Sequence, residues 1–560
     1  MNGWMQADAG IGGPPKLPPK DVSHPQLQMC GILFVDGCNS LQQAADAGEH
    51  LVHRGPDASR MVLVKKHALA FNRLAIIATQ GDAGMQPFFM SPSGDTSLDG
   101  NDLVAMVCSG EIYNYRELSP AGVKADKKAR SDVDVVLTLL ADVMDNEHEV
   151  VSRVATLDGD FAFVCTDGDR VVVAGRDPFG VRPLFFSRCP DSGKITTIAS
   201  EAKALLRPPL SQTDVHVFPP GHVLVNGKLV RYFFPSSYNL PHSNDFRNLL
   251  ESAVWKRVRH SERPVGILCS GGVDSAVITS IAARMPEHDA LHVFTMQYRN
   301  GHSDDAFYAS LLCNRLGLRH TIVDFDARDF DKVIPEVITS LETCDPNTIR
   351  AALPMYLLAR HIAKHTDIKV ILSGEGADEL LGGYGYIRFA PSVQEAAAES
   401  DRLLGNLHMF DLLRADRCFA AFGLEVRVPF LDAELVRDGV PAEHRRPDAR
   451  GVEKMLLRHA FADFEELVDC RILERPKEKF SDGTGFNYVP DLLRHLAADK
   501  NDDGTLPTRL AVEAAHYAAI FDRVYGSRNA RLVVDRRLPE WGEAERRKRG
   551  GDGGNAVGLH

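Results

Sequence analysis

Two domains are predicted for this chain: a layered α+β first half, and an α/β second half with a parallel sheet and a helical C-terminal part. Three observations lead there. Short runs rich in β-branched and aromatic residues, each closed by Gly, Pro, Asp or Asn, follow one another from Met29 to about residue 230. From about residue 245 strand-like and helix-like segments alternate, the pattern of a parallel sheet with helices on both faces. Between the two lies RYFFPSSYNLPHS, loop chemistry that marks a boundary near residues 231–242. The length of 560 residues agrees, at roughly 100 to 200 residues per domain.

Taken in order, the first 28 residues carry two proline pairs in GGPPKLPPK and no apolar stretch of a signal peptide, so an unpacked extension is expected. Strands are expected at CGILFVDG, MVLV, ALAFNRLAII, LVAMVCSG, DFAFVCTDG, RVVVAGRD and LFFSR. Helices are expected at residues 39–53 and 131–145, where VDVVLTLLADVMD repeats its apolar residues at three- and four-residue spacing. In the second half the order is a helix at 245–260, strand VGILC, helix SAVITSIAARM, strand LHVFTMQY, a helix at 306–316, strand HTIVDF, a helix at 355–365 and strand IKVILSG. Residues 391–525 read as almost entirely helical, and the tail as loosely ordered.

Composition removes other classes. With 44% hydrophobic and 25% charged residues and no run of about 18 apolar ones, the chain is neither disordered, collagenous nor membrane-spanning. A net charge of −12 offers no general attraction to nucleic acid. Ten cysteines without a CxxC pair suit reduced thiols in a cytosolic enzyme.

Two loops carry chemistry. Strand VGILC runs into Ser270-Gly271-Gly272-Val273-Asp274-Ser275 and then a helix. A glycine pair there lets the backbone turn tightly and aim N–H groups at an anion, with the helix dipole behind them. The loop lacks GxxxxGK[ST] and instead offers a carboxylate, Asp274, where magnesium could bridge to phosphate. A plain strand-to-helix turn with Asp274 or Ser275 as helix cap is the alternative for a lone SGG. The second loop, Ser373-Gly374-Glu375-Gly376-Ala377-Asp378-Glu379, follows strand KVIL and should share the same sheet edge. Its three carboxylates repel one another unless a cation lies among them, and Glu379 reads as an ordinary acidic helix start.

SGGVDS, LETCDPNTIRAALPMYL, LSGEGADELLGGY, EVRVPFLD, EKMLLRHAF and KEKFSDGTGF occur in the order and spacing of the glutamine-hydrolysing asparagine synthetases, which the chain resembles from Met29 to His560. The resemblance implies a pyrophosphate-loop synthetase domain that joins aspartate to AMP and releases pyrophosphate, after which ammonia displaces AMP; ATP and Mg2+ are the implied cofactors. By motif position Ser270, Gly271, Gly272, Asp274 and Ser275 would hold pyrophosphate, Asp274 and Asp378 the magnesium, and Leu268, Met296, Ser373 and Gly374 the nucleotide. Glu375 would orient aspartate and take a proton from ammonia. Thr348, Arg350 and Lys477 would lie by the transferring phosphates, with a structural ion pair as the alternative for Arg350. Met296-Gln297 and Asn347 depart from the common family pattern.

The first half resembles the N-terminal-nucleophile (αββα) glutaminase domain of the same family through Cys30-Gly31-Ile32, His53-Arg54-Gly55-Pro56-Asp57, Asn72-Arg73-Leu74, Gly110-Glu111-Ile112-Tyr113-Asn114, Ser131-Asp132 and Gly175-Arg176-Asp177-Pro178-Phe179-Gly180. Cys30 would attack the glutamine amide, its own α-amine exchanging the proton, and Arg73, Ser109, Gly110, Glu111 and Asp132 would bind glutamine. Two departures bear on this half: Cys30 is preceded by 29 residues, and Ser109 stands where the family has an oxyanion-binding asparagine. The expected division is 1–29 as an extension absent from or removed in the active form, 30–238 glutaminase, 239–530 synthetase and 531–560 tail. Alternatives are an ammonia-dependent or β-lactam-synthetase-like enzyme with a silent first domain, and a non-catalytic relative. Small-molecule substrates are the expected partners, without nucleic acid or membrane, and a homodimer is left open.

Overall fold

The computed structural model describes residues 30–37, 41–55, 57–79, 81–91, 103–118, 131–212, 214–234, 246–286, 290–298, 304–438, 440–475, 509–526, 539 and 541, together with Gln6 and Ala7. Lys477, KEKFSDGTGF, most of the leading segment and the tail lie outside the described residues.

The first domain consists of two sheets packed face to face. One runs in the order Gln6–Ala7, Ala58–Val64, His67–Arg73, Gly31–Val35, Ile195–Ala199, Phe185–Arg188, Val215–Val217. The other runs Lys228–Arg231, His222–Val225, Val172–Arg176, Gly159–Thr166, Val104–Ile112, Phe88–Met90. Pairing is antiparallel except at Gln6–Ala7, which lies parallel to Ala58–Val64. This corrects the expectation of a wholly unpacked leader: the open edge of a sheet offers free backbone donors and acceptors, and two leader residues take them.

Strand alternation builds the layers. Ile32 and Phe34 point inward, meeting Val107, Val164 and Leu224 of the other sheet. Leu33 and Val35 point outward against Ala44 and Ala47 of helix Leu41–Glu49. On the far side Cys108, Phe161 and Phe163 receive Val136, Leu137 and Leu140 of helix Asp134–Leu140. The result is helix, sheet, sheet, helix.

In the second domain five parallel strands run in the order Arg319–Phe325, His292–Tyr298, Val265–Leu268, Val370–Leu372, Glu425–Arg427. Numbered along the chain this is 3-2-1-4-5, with the order reversing beside Val265–Leu268, the place where a crevice opens at the strands' carboxyl ends. Two readings need correction. Among the described residues of 391–525 a strand, Glu425–Arg427, interrupts the expected helices; three residues with two buried charges show no periodicity to read. The helix expected at 355–365 spans Pro346–His365, started by Asp345, whose side chain accepts the Thr348 amide, and continuing past Pro354.

The domains are joined by more than a linker. Leu74, Ile76, Phe179 and Val181 belong to the same apolar cluster as Phe246, Val265 and Val426. Around it runs a buried ionic network. Arg54 holds Asp416 at 2.8 and 3.0 Å and Glu201 at 2.6 Å, and Arg417 joins Glu201 to Glu342, the latter at 3.0 Å. Burial alone would raise the Glu201 carboxyl, but Arg417, His53, Lys203 and Arg54 hold it well below the usual range.

Removing one member of such a network strands the others without water. Arg417→Met is therefore expected to cost about 3–5 kcal/mol. Arg450→Ala, which removes an exposed partner of Asp448, should stay within about 0.5 kcal/mol. Thermal melting of the two variants side by side checks the contrast.

Candidate active sites

The turn after Val265–Leu268 requires its glycine. Gly271 has φ +68, and a Cβ there would lie 2.6 Å from Tyr308 Cβ and 2.7 Å from the Ala309 nitrogen. The loop is braced from within: the Ser270 amide donates to Ser275 Oγ at 3.1 Å, and Ser275 Oγ donates to the Gly272 carbonyl at 3.2 Å. Gly272 is the N-cap of helix Val273–Ala282, without a side-chain cap, so neither Asp274 nor Ser275 is spent on capping.

The SGEGADE loop leaves Val370–Leu372 alongside. Its Gly374 lies against Asp274, close enough that a Cβ would sit 3.4 Å from Asp274 Cβ. Asp274 and Asp378 converge on one ammonium, Lys454 Nζ, which is 2.5 Å from Asp378 Oδ1 and also pairs with Asp274. Lys454 is 1% exposed. Burial alone would lower its pKa, but the two carboxylates hold it above the ordinary lysine value, so it is charged. Gly383 makes the approach possible, since a Cβ there would fall 2.0 Å from Asp378 Oδ1 and 2.5 Å from Lys454 Cε. The sequence reading noted EKMLLRHAF but gave its lysine no role; the demand for a cation among three carboxylates was the available signal.

No group of three or more His, Cys, Asp or Glu side chains fit for a metal occurs among the described residues. The donor set nevertheless suits magnesium, which takes one or two carboxylates and completes its shell with water and phosphate. Asp274 and Asp378, from separate loops and already gathered on one cation, are such a pair.

Glu375 pairs with Arg414 at 2.8 Å, and Arg414 also holds Asp411 at 2.6 Å. Burial raises the Glu375 carboxyl and Arg414 offsets part of the rise. Arg414 is a neighbour no local motif announced. Glu379 lies in the first turn of helix Ala377–Leu380, as expected, but it is also 2% exposed, accepts a short hydrogen bond from the Tyr384 hydroxyl, and is pushed up to about 8 by burial and by Asp411 and Asp378. Thr348 is buried, its hydroxyl donating to Asp345 at 2.8 Å. Arg350 pairs with Glu513 of helix Arg509–Tyr525, the structural use left open for it. Leu268 ends its strand, half-buried, and Met296 is buried in the neighbouring one.

In the first domain Cys30 is half-buried at the start of Gly31–Val35. The Leu74 amide donates to its Sγ at 3.3 Å, and burial pushes the thiol up to about 12. Arg54 Nε and Ser109 Oγ donate to the Cys30 carbonyl at 3.1 and 3.0 Å. Ser109, which stands where the family has an oxyanion-binding asparagine, is thus engaged with the backbone of Cys30 itself. Gly110 has φ +132, and a Cβ would lie 1.9 Å from the Asp160 carbonyl oxygen. Arg73 donates to the carbonyls of Ala78 and Gly81 at 2.6 and 2.9 Å. Asp132 accepts from the Ile112 amide and Ser131 hydroxyl, both at 2.8 Å. Glu111 pairs with Arg427 of the other domain at 3.1 Å, and burial, then Asp132, raises its carboxyl well above the usual range. Of the residues singled out for glutamine, Glu111 and Arg73 act electrostatically on the Cys30 thiol, and Ser109 is bonded to the Cys30 carbonyl.

The family model described as "Asparagine synthase" matches residues 245–402 and 391–543, and "Glutamine amidotransferase domain" matches 29–228. Asparagine synthetase [glutamine-hydrolyzing] 2 of Arabidopsis thaliana is 35% identical over 544 residues, covering 90% of this chain and 89% of its own. The chain belongs to the glutamine-hydrolysing asparagine synthetase family. The synthetases of Bos taurus and Homo sapiens are each 34% identical, over 92% of this chain and 97% and 96% of theirs. Both site constellations therefore lie within the matched asparagine synthetase span. No described helix is long and apolar enough to cross a membrane.

A thiol at about 12 reacts slowly unless a base assists it. With residue 29 still attached, iodoacetamide at neutral pH should alkylate Cys189, whose thiol Ser192 draws below its ordinary value, before Cys30. The rate at Cys30 should still be rising above about pH 9. Peptide mapping by mass spectrometry measures both.

Proposed function

We propose that this chain makes asparagine from aspartate, using ATP to activate the side-chain carboxylate and glutamine to supply the nitrogen. The observation that carries this is the convergence of the SGGVDS and SGEGADE loops on Lys454, in a chain whose other domain brings Arg73 and Glu111 to bear on Cys30.

The backbone amides of the Gly271-Gly272 turn and the N-terminus of helix Val273–Ala282 favour phosphate oxygens. Lys454 adds a fixed cation at that edge. The aspartate β-carboxylate attacks the α-phosphorus of ATP, forming an O–P bond as the bond to pyrophosphate breaks. Asp274 and Asp378 would hold Mg2+, which when bound neutralises charge on the phosphates. Ammonia then attacks the acyl carbon of β-aspartyl-AMP, and AMP departs. Glu375, paired with Arg414, would orient aspartate and receive the proton that ammonia loses. Leu268, Met296, Ser373 and Gly374 would line the nucleotide, and Thr348 and Lys477 would border its phosphates. Arg350 would join them by exchanging Glu513 for phosphate.

The first domain acts as an N-terminal-nucleophile glutaminase. Cys30 Sγ attacks the glutamine side-chain amide, and the Cys30 α-amine, free once residue 29 is removed, carries the proton. Arg73 binds the glutamine α-carboxylate, and Asp132 with Glu111 binds the α-ammonium. Ser109 anchors the carbonyl of the nucleophile, and Gly110 admits the close approach of the Asp160 carbonyl from the next strand.

Protein beginning at Cys30 is expected to form asparagine, AMP and pyrophosphate from aspartate, Mg-ATP and glutamine, while protein retaining residues 1–29 uses ammonia only. AMP formation indifferent to aspartate refutes the reading. Cys30→Ala should lower glutamine-supported synthesis by about a thousandfold or more and spare the ammonia-supported reaction. Asp274→Ala should stop pyrophosphate release with either nitrogen source, by phosphate assay.

A further inference from the structure

Arg427 touches both candidate sites through different atoms. It ends strand Glu425–Arg427, in register with Leu372, and its carbonyl accepts the amide of Ser373, the first residue of the SGEGADE loop, at 3.0 Å. Its guanidinium is fully buried and reaches into the first domain, where Nη2 lies 3.1 Å from Glu111 Oε1. The plane of the group is fixed by the rest of its fork: Nε donates to Glu425 at 2.8 Å, and Nη1 donates to the carbonyls of Arg257 and His260 at 2.7 and 2.8 Å.

Glu111 is divided in the same way. Oε1 faces Arg427, while Oε2 is buried and accepts no hydrogen bond among the described residues. A buried carboxylate oxygen without a donor is costly, and a ligand's ammonium would relieve it. Glu111 also follows Gly110 in strand Val104–Ile112, whose neighbour Ser109 holds the Cys30 carbonyl.

We propose that Arg427 is a positioning residue for both half-reactions, holding Glu111 for the glutamine ammonium with its guanidinium and Ser373 for the nucleotide with its carbonyl, so that occupancy of either site is felt at the other. This rests on the glutamine reading given above. An ammonium at Glu111 Oε2 competes with Arg427 for the carboxylate and loosens the guanidinium, and the strand end carries that change to Ser373. By linkage, nucleotide must alter glutamine affinity by the same factor that glutamine alters nucleotide affinity.

Calorimetric titration of glutamine into the protein, with and without saturating ATP, reads the link. In the parent, ATP should shift the glutamine Kd by about fivefold or more. In Arg427→Lys, with an unchanged melting temperature, that factor should fall to about one, because a point charge cannot keep the fork's four contacts. If Arg427→Lys does not fold, Glu111→Gln keeps the side-chain volume and removes the charge. It should raise the KM for ATP in the ammonia-supported reaction by about threefold or more, although glutamine is absent.

The outcomes separate. Parent protein that binds no glutamine sinks the glutamine-site reading and the link with it. Glutamine binding that ATP leaves unchanged, or coupling that survives in folded Arg427→Lys, overturns the link alone. So does Glu111→Gln that impairs glutamine use while leaving the ATP KM where it was.

Discussion

Everything in this molecule depends on charges buried between its two domains. A guanidinium taken out of water is stable only when carboxylates surround it. Arg54 meets this condition with Glu201 from its own domain and Asp416 from the other, and Arg417 closes the circuit from the opposite side. Neither domain alone satisfies these groups. The interface is thereby specified in register, and the Cys30 carbonyl, bound by Arg54 Nε, is specified with it.

The second domain solves its own charge problem by topology. Strands in the order 3-2-1-4-5 place the loops after the first and fourth at one crevice, although about a hundred residues separate them in the chain. The crevice then gathers Asp274 and Asp378, and Lys454 arrives from a third, more distant segment to hold them. The same arrangement leaves Glu375 at its rim, where Arg414 opposes the rise that burial imposes on its carboxyl. The site proposed for phosphates and the carboxylate proposed for proton transfer would thus both follow from one strand order.

Much of the fold was legible because it is local. Glycine turns, β-branched runs and the alternation of strand and helix mark their elements without help from distant residues, and SGGVDS and SGEGADE announce the crevice. What was misread lacks local signal. Glu425–Arg427 becomes a strand only because Val370–Leu372 offers an edge to pair with. Helix Pro346–His365 runs on through Pro354, where proline usually argues for an end. That Glu379 is a helix start was legible, but that Tyr384 and Ser400 close over it was not.

By itself the sequence determined the two-domain plan and the family, and it singled out the glycine turn proposed for phosphate, the carboxylates beside it and the cysteine proposed as nucleophile. These are read from residue types at fixed short spacings, and short spacings dictate turns, dipoles and donor sets. Tertiary structure alone decided which cation stands between Asp274 and Asp378, that Arg350 is paired with Glu513, that Ser109 is engaged by the Cys30 backbone, and that Glu111 and Ser373 share Arg427. Each of those is a contact across a long stretch of chain, where a charge finds its partner through packing and no spacing rule reaches.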